Sequence, residues 1–421
     1  MNIKTGFIVI VLFFFQVTNS FSQKLNDFGL PVYSKISGFG FDTKGGKGGE
    51  IVKVTNLNKS GEGSFLAAIQ KTVPRIIVFE VAGIIDLEES VLRIENPVVT
   101  IAGQTAPSPG ITIIKGGISI TTHEVILQHI RVRPGEAGHK KRDGWEIDGI
   151  ATGQGAYNVI IDHCSASWAT DENISASGPR FEGANLEEWR QNTSHQILIS
   201  NCIIAEGLSH STHAKGEHSK GSLIHDNTTE IAIVGNLYAS NMRRNPFFKG
   251  ASQGIIVNNY IFNPGLAAVH YNLSPQEWEG HEWVTGKMSV VGNVIEFGKD
   301  AQNEIPAGHF RGPVEVYWND NMVISGKEKL TGSHTLLENS PVWPSEFSAL
   351  NSGKVMERVL INSGARPWDR DEIDKQIIKQ VKNKTNKIID SEQESGGYPT
   401  IKPVFEKFIA KDWDLKKMIK K

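Results

Sequence analysis

The segment IAIVGNLYASNMRRNPFFKGASQGIIVNNY, residues 231–260, contains one short pattern twice: an apolar, β-branched run that ends in asparagine. Further copies lie on both sides, and aligning them on their final polar residue gives the anchors His129, His163, Asn201, Asn236, Asn259, Asn293 and Asn321. The gaps run from 23 residues (236 to 259) to 38 residues (163 to 201) and show little helical patterning. The pattern therefore indicates a solenoid of short strands.

Repeats of this length without helices exclude leucine-rich and helical repeats, and their irregular spacing suits coils whose loops vary on one side. We predict an all-β fold, a single-stranded right-handed parallel β-helix whose recurring polar residues stack as an asparagine ladder. The alternative is that asparagine only marks turns between the strands of a sandwich. Seven recurrences in phase favour the ladder.

Both ends of the solenoid carry helical patterns. SFLAAIQ, residues 64–70, predicts a short capping helix over the open end of the core. DRDEIDKQIIKQVKNK, residues 369–384, begins with Asp369 as the predicted N-cap and places apolar residues on one helical face, namely Ile373, Ile377, Ile378 and Val381. We expect this second helix to pack on the outside of the coil.

The N-terminus has one lysine, an apolar run from Gly6 to Phe15, and then small and polar residues. This pattern predicts a signal peptide over residues 1–22, cleaved after Ser22, because its apolar part is too short for a spanning helix. The predicted organisation is then a β-helix domain over 23–330 and a C-terminal extension over 331–421. We expect a secreted or periplasmic protein with no membrane span after cleavage.

The chain has 44 basic and 46 acidic residues, a formal net charge of −2, which argues against a nucleic-acid partner held by bulk electrostatics. We expect a monomer. Its only cysteines, Cys164 and Cys202, follow anchors in adjacent units and should stack one coil apart. That separation permits a disulfide, but buried cysteines are more often inert hydrophobes, so free thiols are favoured.

Acidic residues flank one coil of the solenoid. Glu146 and Asp148 precede NVIIDHC, and Asp171 and Glu172 follow it. Loops that enter and leave one coil can converge, and carboxylate oxygens from such loops suit Ca²⁺. The alternative is that these acids are solvated surface charges.

Basic residues flank a later coil. Lys220 precedes the Asn236 coil, and Arg244 and Lys249 follow it on either side of Pro246, which stiffens the turn. Carboxylates at one end of a groove and cations at the other would bind an anionic substrate through a bridging metal. Random surface charge is the alternative.

The segment 207–226 carries four histidines, His210, His213, His218 and His225. Their spacing fits no common zinc-ligand pattern, so the sequence gives little support for a zinc site.

At the level of motifs, the chain resembles the pectate lyases of the first polysaccharide lyase family, of the secreted bacterial kind. VIIDHCSASWATDE (159–172) combined with R-x-P-x-x-K (244–249) is a specific match. The resemblance spans nearly the whole mature chain, through VTNLNKSGEGSFLAAI (54–69), IAGQTAP (101–107), IRVRPGE (130–136), HSKGSLI (218–224), RRNPFF (243–248), GARPWDRDEIDK (364–375) and IIDSEQESGGYP (388–399).

The resemblance implies a parallel β-helix that cleaves polygalacturonate, an acidic polysaccharide, by β-elimination with Ca²⁺. It places Asp148, with Glu146 as a further candidate, and Asp171 among the calcium ligands. It also implies that Lys220 contacts the substrate carboxylate and that Arg244 is the catalytic base.

The chain departs from the family pattern at two positions. Ser175 stands where the family often has a further acid, which implies weak calcium binding or calcium that arrives with the substrate. Lys249 replaces the usual second arginine and keeps the charge for substrate binding but loses the bidentate fork. Arg133, in RVRPGE, either faces substrate or forms a salt bridge at the edge of a coil.

Two rival functions remain open from the sequence. A β-helix hydrolase would need two carboxylates at glycosidase separation and would release products without a double bond. A non-catalytic coil that binds acidic polysaccharide would show no turnover at all.

Overall fold

The computed structural model describes residues 35–302 and 305–421, so the predicted signal peptide lies outside the described residues. The chain forms the predicted right-handed parallel β-helix, in which each full coil contributes one strand to each of three long parallel sheets. Strands pair with their counterparts in the coils before and after them.

The eleven-stranded sheet contains Glu50–Val54, Arg75–Phe79, Val99–Ala102, Val125–Gln128, Tyr157–Asp162, His195–Ser200, Thr229–Val234, Gln253–Val257, Gly286–Val291, Val314–Asn319 and Thr335–Leu336. The nine-stranded sheet contains Val91–Ile94, Gly117–Ile120, Ile150–Thr152, Glu172–Ala176, Lys220–Ile224, Phe247–Lys249, Val269–Asn272, Gly308–Arg311 and Leu330–Gly332. The ten-stranded sheet contains Val81–Asp86, Ile111–Ile114, Ile130–Arg133, Ser165–Ser167, Ile203–Ala205, Leu237–Ala239, Tyr260–Phe262, Val294–Glu296, Met322–Ile324 and the antiparallel Val404–Phe405. A separate hairpin pairs Trp413–Asp414 with Ile419–Lys420.

The helices are short and lie outside the sheets. The α-helices span Phe65–Ile69, Leu186–Asn192, Val355–Asn362 and Glu372–Lys382. Single 3₁₀ turns span Gly103–Thr105, Ser352–Lys354, Glu392–Ser395 and Ala410–Asp412.

The core of the coil consists of β-branched side chains stacked in register. Ile161 pairs with Ile199, Ile199 with Ile233, and Ile233 with Ile256 in successive strands of the eleven-stranded sheet. All four are fully buried. Because successive strands lie about 4.8 Å apart, each isoleucine packs directly on the next one. This explains why the same apolar run recurs along the sequence.

The predicted asparagine ladder runs from Asn236 to Asn321. The side-chain Nδ2 of Asn236 donates to Asn259 Oδ1 at 2.9 Å, Asn259 donates to Asn293 at 3.0 Å, and Asn293 donates to Asn321 at 2.9 Å. Cysteine continues the stack, because Cys202 N donates to Asn236 Oδ1 at 2.8 Å and Cys164 N donates to Cys202 Sγ at 3.4 Å. Both cysteines are buried free thiols, which agrees with the favoured interpretation.

The predicted alignment is wrong by one residue in the first three units. Strand register pairs Ser200 with Val234, so Cys202, not Asn201, occupies the position of Asn236. His129, His163 and Asn201 instead match Gly235, and their φ values of 57°, 47° and 51° are left-handed like its 70°. Histidine and asparagine adopt this conformation more readily than most residues, so they suit the one-residue corner between two sheets.

The helix Phe65–Ile69 packs Phe65, Ala68 and Ile69 into the core, as predicted. In the helix Glu372–Lys382 the predicted apolar face is buried, but Asp369 is not the N-cap. Asp371 caps the helix by accepting from Asp374 N, while Asp369 pairs with Arg366. The sequence offers an aspartate at both positions, and helix packing selects the later one.

Two of the three sheets are covered on their outer faces. The helices Val355–Asn362 and Glu372–Lys382 pack on the ten-stranded sheet, where Ile377 belongs to the same buried cluster as Leu237 and Tyr260. Phe41 and Trp413, from the two ends of the described chain, cover the eleven-stranded sheet. The nine-stranded sheet is different: from the strand Glu172–Ala176 to the strand Gly308–Arg311, its outer face is lined mainly by polar and charged residues. This face is open to ligands. None of the helices in 35–302 and 305–421 has the length and apolar character to span a bilayer.

We predict that Asn259→Ala lowers the free energy of unfolding by about 2–4 kcal/mol, because buried donors and acceptors on the neighbouring coils lose their partners. Urea denaturation followed by circular dichroism measures this. The exposed Asn58→Ala should be neutral. Equal loss in both variants would contradict an energetic role for the ladder.

Candidate active site on the nine-stranded sheet

A groove of about 580 Å³ runs along the outer face of the nine-stranded sheet. Successive strands bring its residues together, since Glu172 pairs in register with Lys220, and Lys220 bridges to Arg243. The groove lining includes Asp171, Glu172, Lys220, Arg244, Lys249 and Glu277. The structure thus brings Asp171, Lys220 and Arg244 to one surface, although 73 residues separate the first from the last.

Three carboxylates form the acidic end. Asp148, Asp171 and Glu172 each offer an oxygen, and these oxygens lie within 4.8 Å of one another. Asp148 Oδ1 accepts from the backbone N of Glu172 at 2.9 Å, and its Oδ2 accepts from Ser175 Oγ at 2.6 Å. Ser175, which replaces an expected acid, therefore orients Asp148.

The surroundings shift the pKa values of Asp148 and Asp171 in opposite directions. Burial raises the pKa of Asp148 to about 7, and the charge of Asp171 adds to the rise. Burial also works to raise the pKa of Asp171, but its hydrogen bond to His218 holds the pKa below the usual value. Neighbouring carboxylates that resist joint ionisation gain stability when a cation binds between them.

Glu146 lies apart from this group. Its Oε1 accepts from Ala214 N at 3.0 Å and is 3.3 Å from His213 Nδ1. The structure therefore separates Glu146 from Asp148 and places it beside a histidine. Glu172 stands beside Asp171 in the sequence but was not predicted to bind metal. In the structure Glu172, and not Glu146, is the third of the close carboxylates.

Arg244 lies on a strained turn at the centre of the groove. Its φ of 64° is left-handed, and the turn is fixed because Ser222 N donates to Arg244 O at 2.6 Å. Its guanidinium contacts the Glu172 carboxylate and lies 5.5 Å from the ring centroid of Phe247. Burial lowers the pKa of Arg244, against the opposing charges of Asp171, Asp148 and Glu277.

A chain of buried amides holds this turn against the acidic strand. Asn173, next to Glu172, donates through Nδ2 to Asn241 Oδ1 at 3.1 Å, and Asn241 donates to Asn245 Oδ1 at 3.1 Å. Asn245 directly follows Arg244, so the chain fixes the distance between the acid and the arginine. None of these three residues was predicted from the sequence, although the N-x-x-x-N spacing of 241 and 245 is a signal for them.

Lys220 provides a buried, unpaired positive charge in the groove. Its side chain is nearly buried, and no described residue forms an ion pair with its amino group. Burial, with the nearby charge of Arg243, lowers the pKa of Lys220 to about 8. A buried ammonium without a counter-ion favours an anionic ligand.

Lys249, predicted to bind substrate, is neutralised within the protein. Its Nζ lies 3.1 Å from Asp226 Oδ2 and 2.6 Å from Glu277 Oε2. Arg180 contacts the same two acids, at 3.0 and 3.3 Å. This end of the groove is charge-balanced, so Lys249 has no free charge for a substrate carboxylate.

Arg133, for which substrate binding and a salt bridge were both open, forms the salt bridge. It is fully buried beneath the C-terminal segment, with Nη1 2.6 Å from Asp371 Oδ2 and Nη2 2.8 Å from Asp374 Oδ1. Although burial opposes it, these two acids raise the pKa of Arg133. The substrate-binding alternative is wrong because the guanidinium cannot reach the groove.

Comparisons with known proteins point to one family. The chain is 32% identical over 382 residues to a probable pectate lyase C from Aspergillus terreus, covering 87% of this chain and 81% of that protein. A probable pectate lyase C from Emericella nidulans is 31% identical, covering 87% and 80%. No protein-family model matches the chain.

Solved structures agree on the fold. The major allergen from cedar pollen has a TM-score of 0.55 at 17% identity and covers 78% of this chain and 92% of its own. A pectate lyase studied for substrate specificity and an anti β-elimination mechanism has a TM-score of 0.52 at 14% identity, covering 83% and 100%. These similarities support the parallel β-helix.

We predict that Arg133→Ala lowers the free energy of unfolding by about 3–5 kcal/mol, because the buried carboxylates of Asp371 and Asp374 lose their shortest ion pairs and keep only the longer ones to Arg131. Urea denaturation measures the change, and Arg93→Ala, an exposed arginine on another strand, is the matched control. If Arg133→Ala unfolded at the wild-type urea concentration, the buried ion pairs would not support the C-terminal segment.

Proposed function

The chain belongs to the pectate lyase family and is a polysaccharide lyase, and we propose that it cleaves polygalacturonate by Ca²⁺-dependent β-elimination in the groove of the nine-stranded sheet. The observation that carries the proposal is the groove itself. An unpaired, buried Lys220 and a strained Arg244 lie beside three close carboxylates. Such a surface suits a polyanion whose carboxylates reach both a bound cation and a fixed ammonium.

The residues fit a calcium ion. Asp148, Asp171 and Glu172 present only oxygen ligands, which Ca²⁺ prefers, and their mutual repulsion favours a divalent cation. Ser175 supplies a hydroxyl where a further carboxylate would add charge, so we expect modest affinity. When bound, Ca²⁺ supplies Lewis-acid stabilisation of the negative charge that develops on the uronate carboxylate.

We assign the base role to Arg244 and charge stabilisation to Lys220. The base removes the proton from the carbon beside the uronate carboxylate, and a double bond forms between this carbon and its neighbour that carries the glycosidic oxygen. The C–O bond to the leaving sugar breaks, and the departing oxygen takes a proton from water. Lys220 faces the same groove as a fixed cation and offsets the charge that this removal creates.

A neutral guanidine is rare, and the environment of Arg244 bears on this requirement. Burial lowers its pKa, which is the direction that a base needs. Contact with Glu172 favours the charged form, so the arginine becomes a better base when Glu172 is drawn toward other positive charge. The acidic group and the base are therefore coupled through one side chain.

The hydrolase alternative fits this geometry poorly. Glycosidases place two carboxyl groups about 5–9.5 Å apart on either side of the scissile bond. Here three carboxylate oxygens lie within 4.8 Å of one another, at one end of the groove, and Glu172 is paired with Arg244.

Export of the chain as a monomer, the predicted domain boundaries and the bacterial subgroup remain proposals from the sequence. The Aspergillus terreus and Emericella nidulans relatives are fungal, and they support the pectate lyase family without the bacterial subgroup.

We predict that Arg244→Ala lowers the rate of unsaturated product formation from polygalacturonate by about 10²–10⁴-fold, as expected for loss of a general base. The ultraviolet absorbance of the new double bond measures the rate. Arg358→Ala, an exposed arginine on the helix Val355–Asn362, should keep wild-type activity. Folded wild-type protein that forms no unsaturated product on any pectic substrate would refute the lyase proposal.

We predict that a chelator stops product formation, that calcium restores it, and that calcium affinity rises about tenfold between pH 6 and pH 8 as Asp148 loses its proton. The sign follows from the raised pKa: Asp148 in the folded, metal-free protein keeps its proton up to about pH 7, so Ca²⁺ has to displace that proton below this pH and binds more tightly above it. Calorimetric calcium titrations in two buffers of different protonation enthalpy measure affinity and proton release. Asp148→Asn should remove the pH dependence, and a pH-independent wild-type affinity would contradict proton release from Asp148 on calcium binding.

A further inference from the structure

The loop between the strands Ile203–Ala205 and Lys220–Ile224 carries two nearly buried histidines. His213 is 1% exposed and His218 is 5% exposed, although both lie on a connecting loop. Their rings stack with centroids 3.5 Å apart and planes at 15°. Loop histidines are usually solvated, so this burial indicates a built arrangement.

Both imidazoles direct the same nitrogen toward one carboxylate. His218 Nε2 is 2.8 Å from Asp171 Oδ1, and His213 Nε2 is 3.8 Å from the same oxygen. The three groups each offer a ligand atom, and these atoms lie within 4.8 Å of one another. A cation between them would replace the proton that His218 shares with Asp171.

Glu146 occupies the position of an orienting carboxylate behind His213. Its Oε1 lies 3.3 Å from His213 Nδ1, on the side of the ring opposite Nε2. Histidines that bind metal through Nε2 usually donate from Nδ1 to such a carboxylate. Lys215 N now donates to His213 Nδ1 at 3.1 Å, so Glu146 would take over as the partner of Nδ1 when that nitrogen carries the proton.

His218 is free to present its lone pair as well. No described residue binds its buried Nδ1, so moving the proton from Nε2 to Nδ1 breaks no hydrogen bond at Nδ1. Around His213 the charged groups are Asp171, Glu146 and Lys215. Arg244 and Lys220 also face Asp171. A metal at this position would therefore be held mainly by its two imidazole ligands and the Asp171 carboxylate rather than by net negative charge.

We propose that Asp171, His213 and His218 bind a divalent transition metal ion of the zinc class, with Glu146 orienting His213. Two imidazole nitrogens and one carboxylate oxygen suit Zn²⁺ and its neighbours, whereas Ca²⁺ prefers oxygen ligands alone. The site is distinct from the oxygen-only group of Asp148, Asp171 and Glu172, but the two share Asp171.

Sharing one carboxylate makes the two ions compete. This consequence rests on the proposed calcium-dependent function: Zn²⁺ on the histidine side withdraws Asp171 from the oxygen group, so more Ca²⁺ is needed for the same rate. Zinc at micromolar concentration would then act as an inhibitor that calcium overcomes.

Cobalt substitution tests the site without any assay of activity. Co²⁺ added to the chelator-treated full chain should give a visible d–d absorption band at one equivalent, and Zn²⁺ should abolish it. His213→Ala/His218→Ala should lose the band, and Glu146→Gln should weaken Co²⁺ binding about 10–100-fold while keeping both ligands. His210→Ala, an exposed histidine of the same loop that pairs with Asp390, is the matched control and should retain the band.

Asp148→Asn separates this proposal from the proposed function, because it should impair calcium binding and leave the cobalt band intact. Circular dichroism verifies that each variant is folded. Absence of a band in wild-type protein, or a band that persists in the folded double-histidine variant, would overturn the transition-metal site whatever the lyase assay shows. A band lost equally in Glu146→Gln and His210→Ala would also overturn it.

Discussion

In-register stacking of parallel strands is the constraint on which this structure depends. Each coil places its residues about 4.8 Å from the equivalent residues of the next coil, so a single position along the axis becomes a continuous row. In the interior the row is isoleucine and valine, and at one corner it is asparagine continued by cysteine. On the outer face of the nine-stranded sheet the same rule sets Glu172 beside Lys220. The same strand register thus aligns the buried isoleucines, the asparagine ladder and the charged residues of the groove.

The repeat made the fold predictable because each coil has to bury the same apolar run. The corner was harder, since histidine and asparagine satisfy two different demands there: a left-handed backbone at His163 and Asn201, and an amide ladder at Asn236. A pattern of residue types cannot distinguish the two demands, and only strand register does. The predicted alignment was therefore one residue off at His129, His163 and Asn201, although the predicted fold was correct.

The site was predictable where its partners lie on adjacent coils and unpredictable where they come from distant segments. Resemblance to a family brought Asp171, Lys220 and Arg244 together correctly on one surface. Arg133 was undecided because its acids, Asp371 and Asp374, lie more than 200 residues away in the sequence. The spacing of His213 and His218 also could not reveal their shared contact, because that contact, Asp171, comes from another coil.

Charge pairing, more than charge count, determines what the groove can bind. Lys249 and Arg180 are offset by Asp226 and Glu277, so that end of the groove carries little net charge despite its four ionised groups. Lys220 has no such partner and is also largely buried, which concentrates attraction for an anion at one point. Glu172 and Asp171 each serve two sites, the first between Arg244 and the oxygen group, the second between that group and the histidines. Because each of these carboxylates contacts two groups, a change of charge in one group alters the other, so the oxygen group, Arg244 and the histidine pair have to be treated as one electrostatic unit.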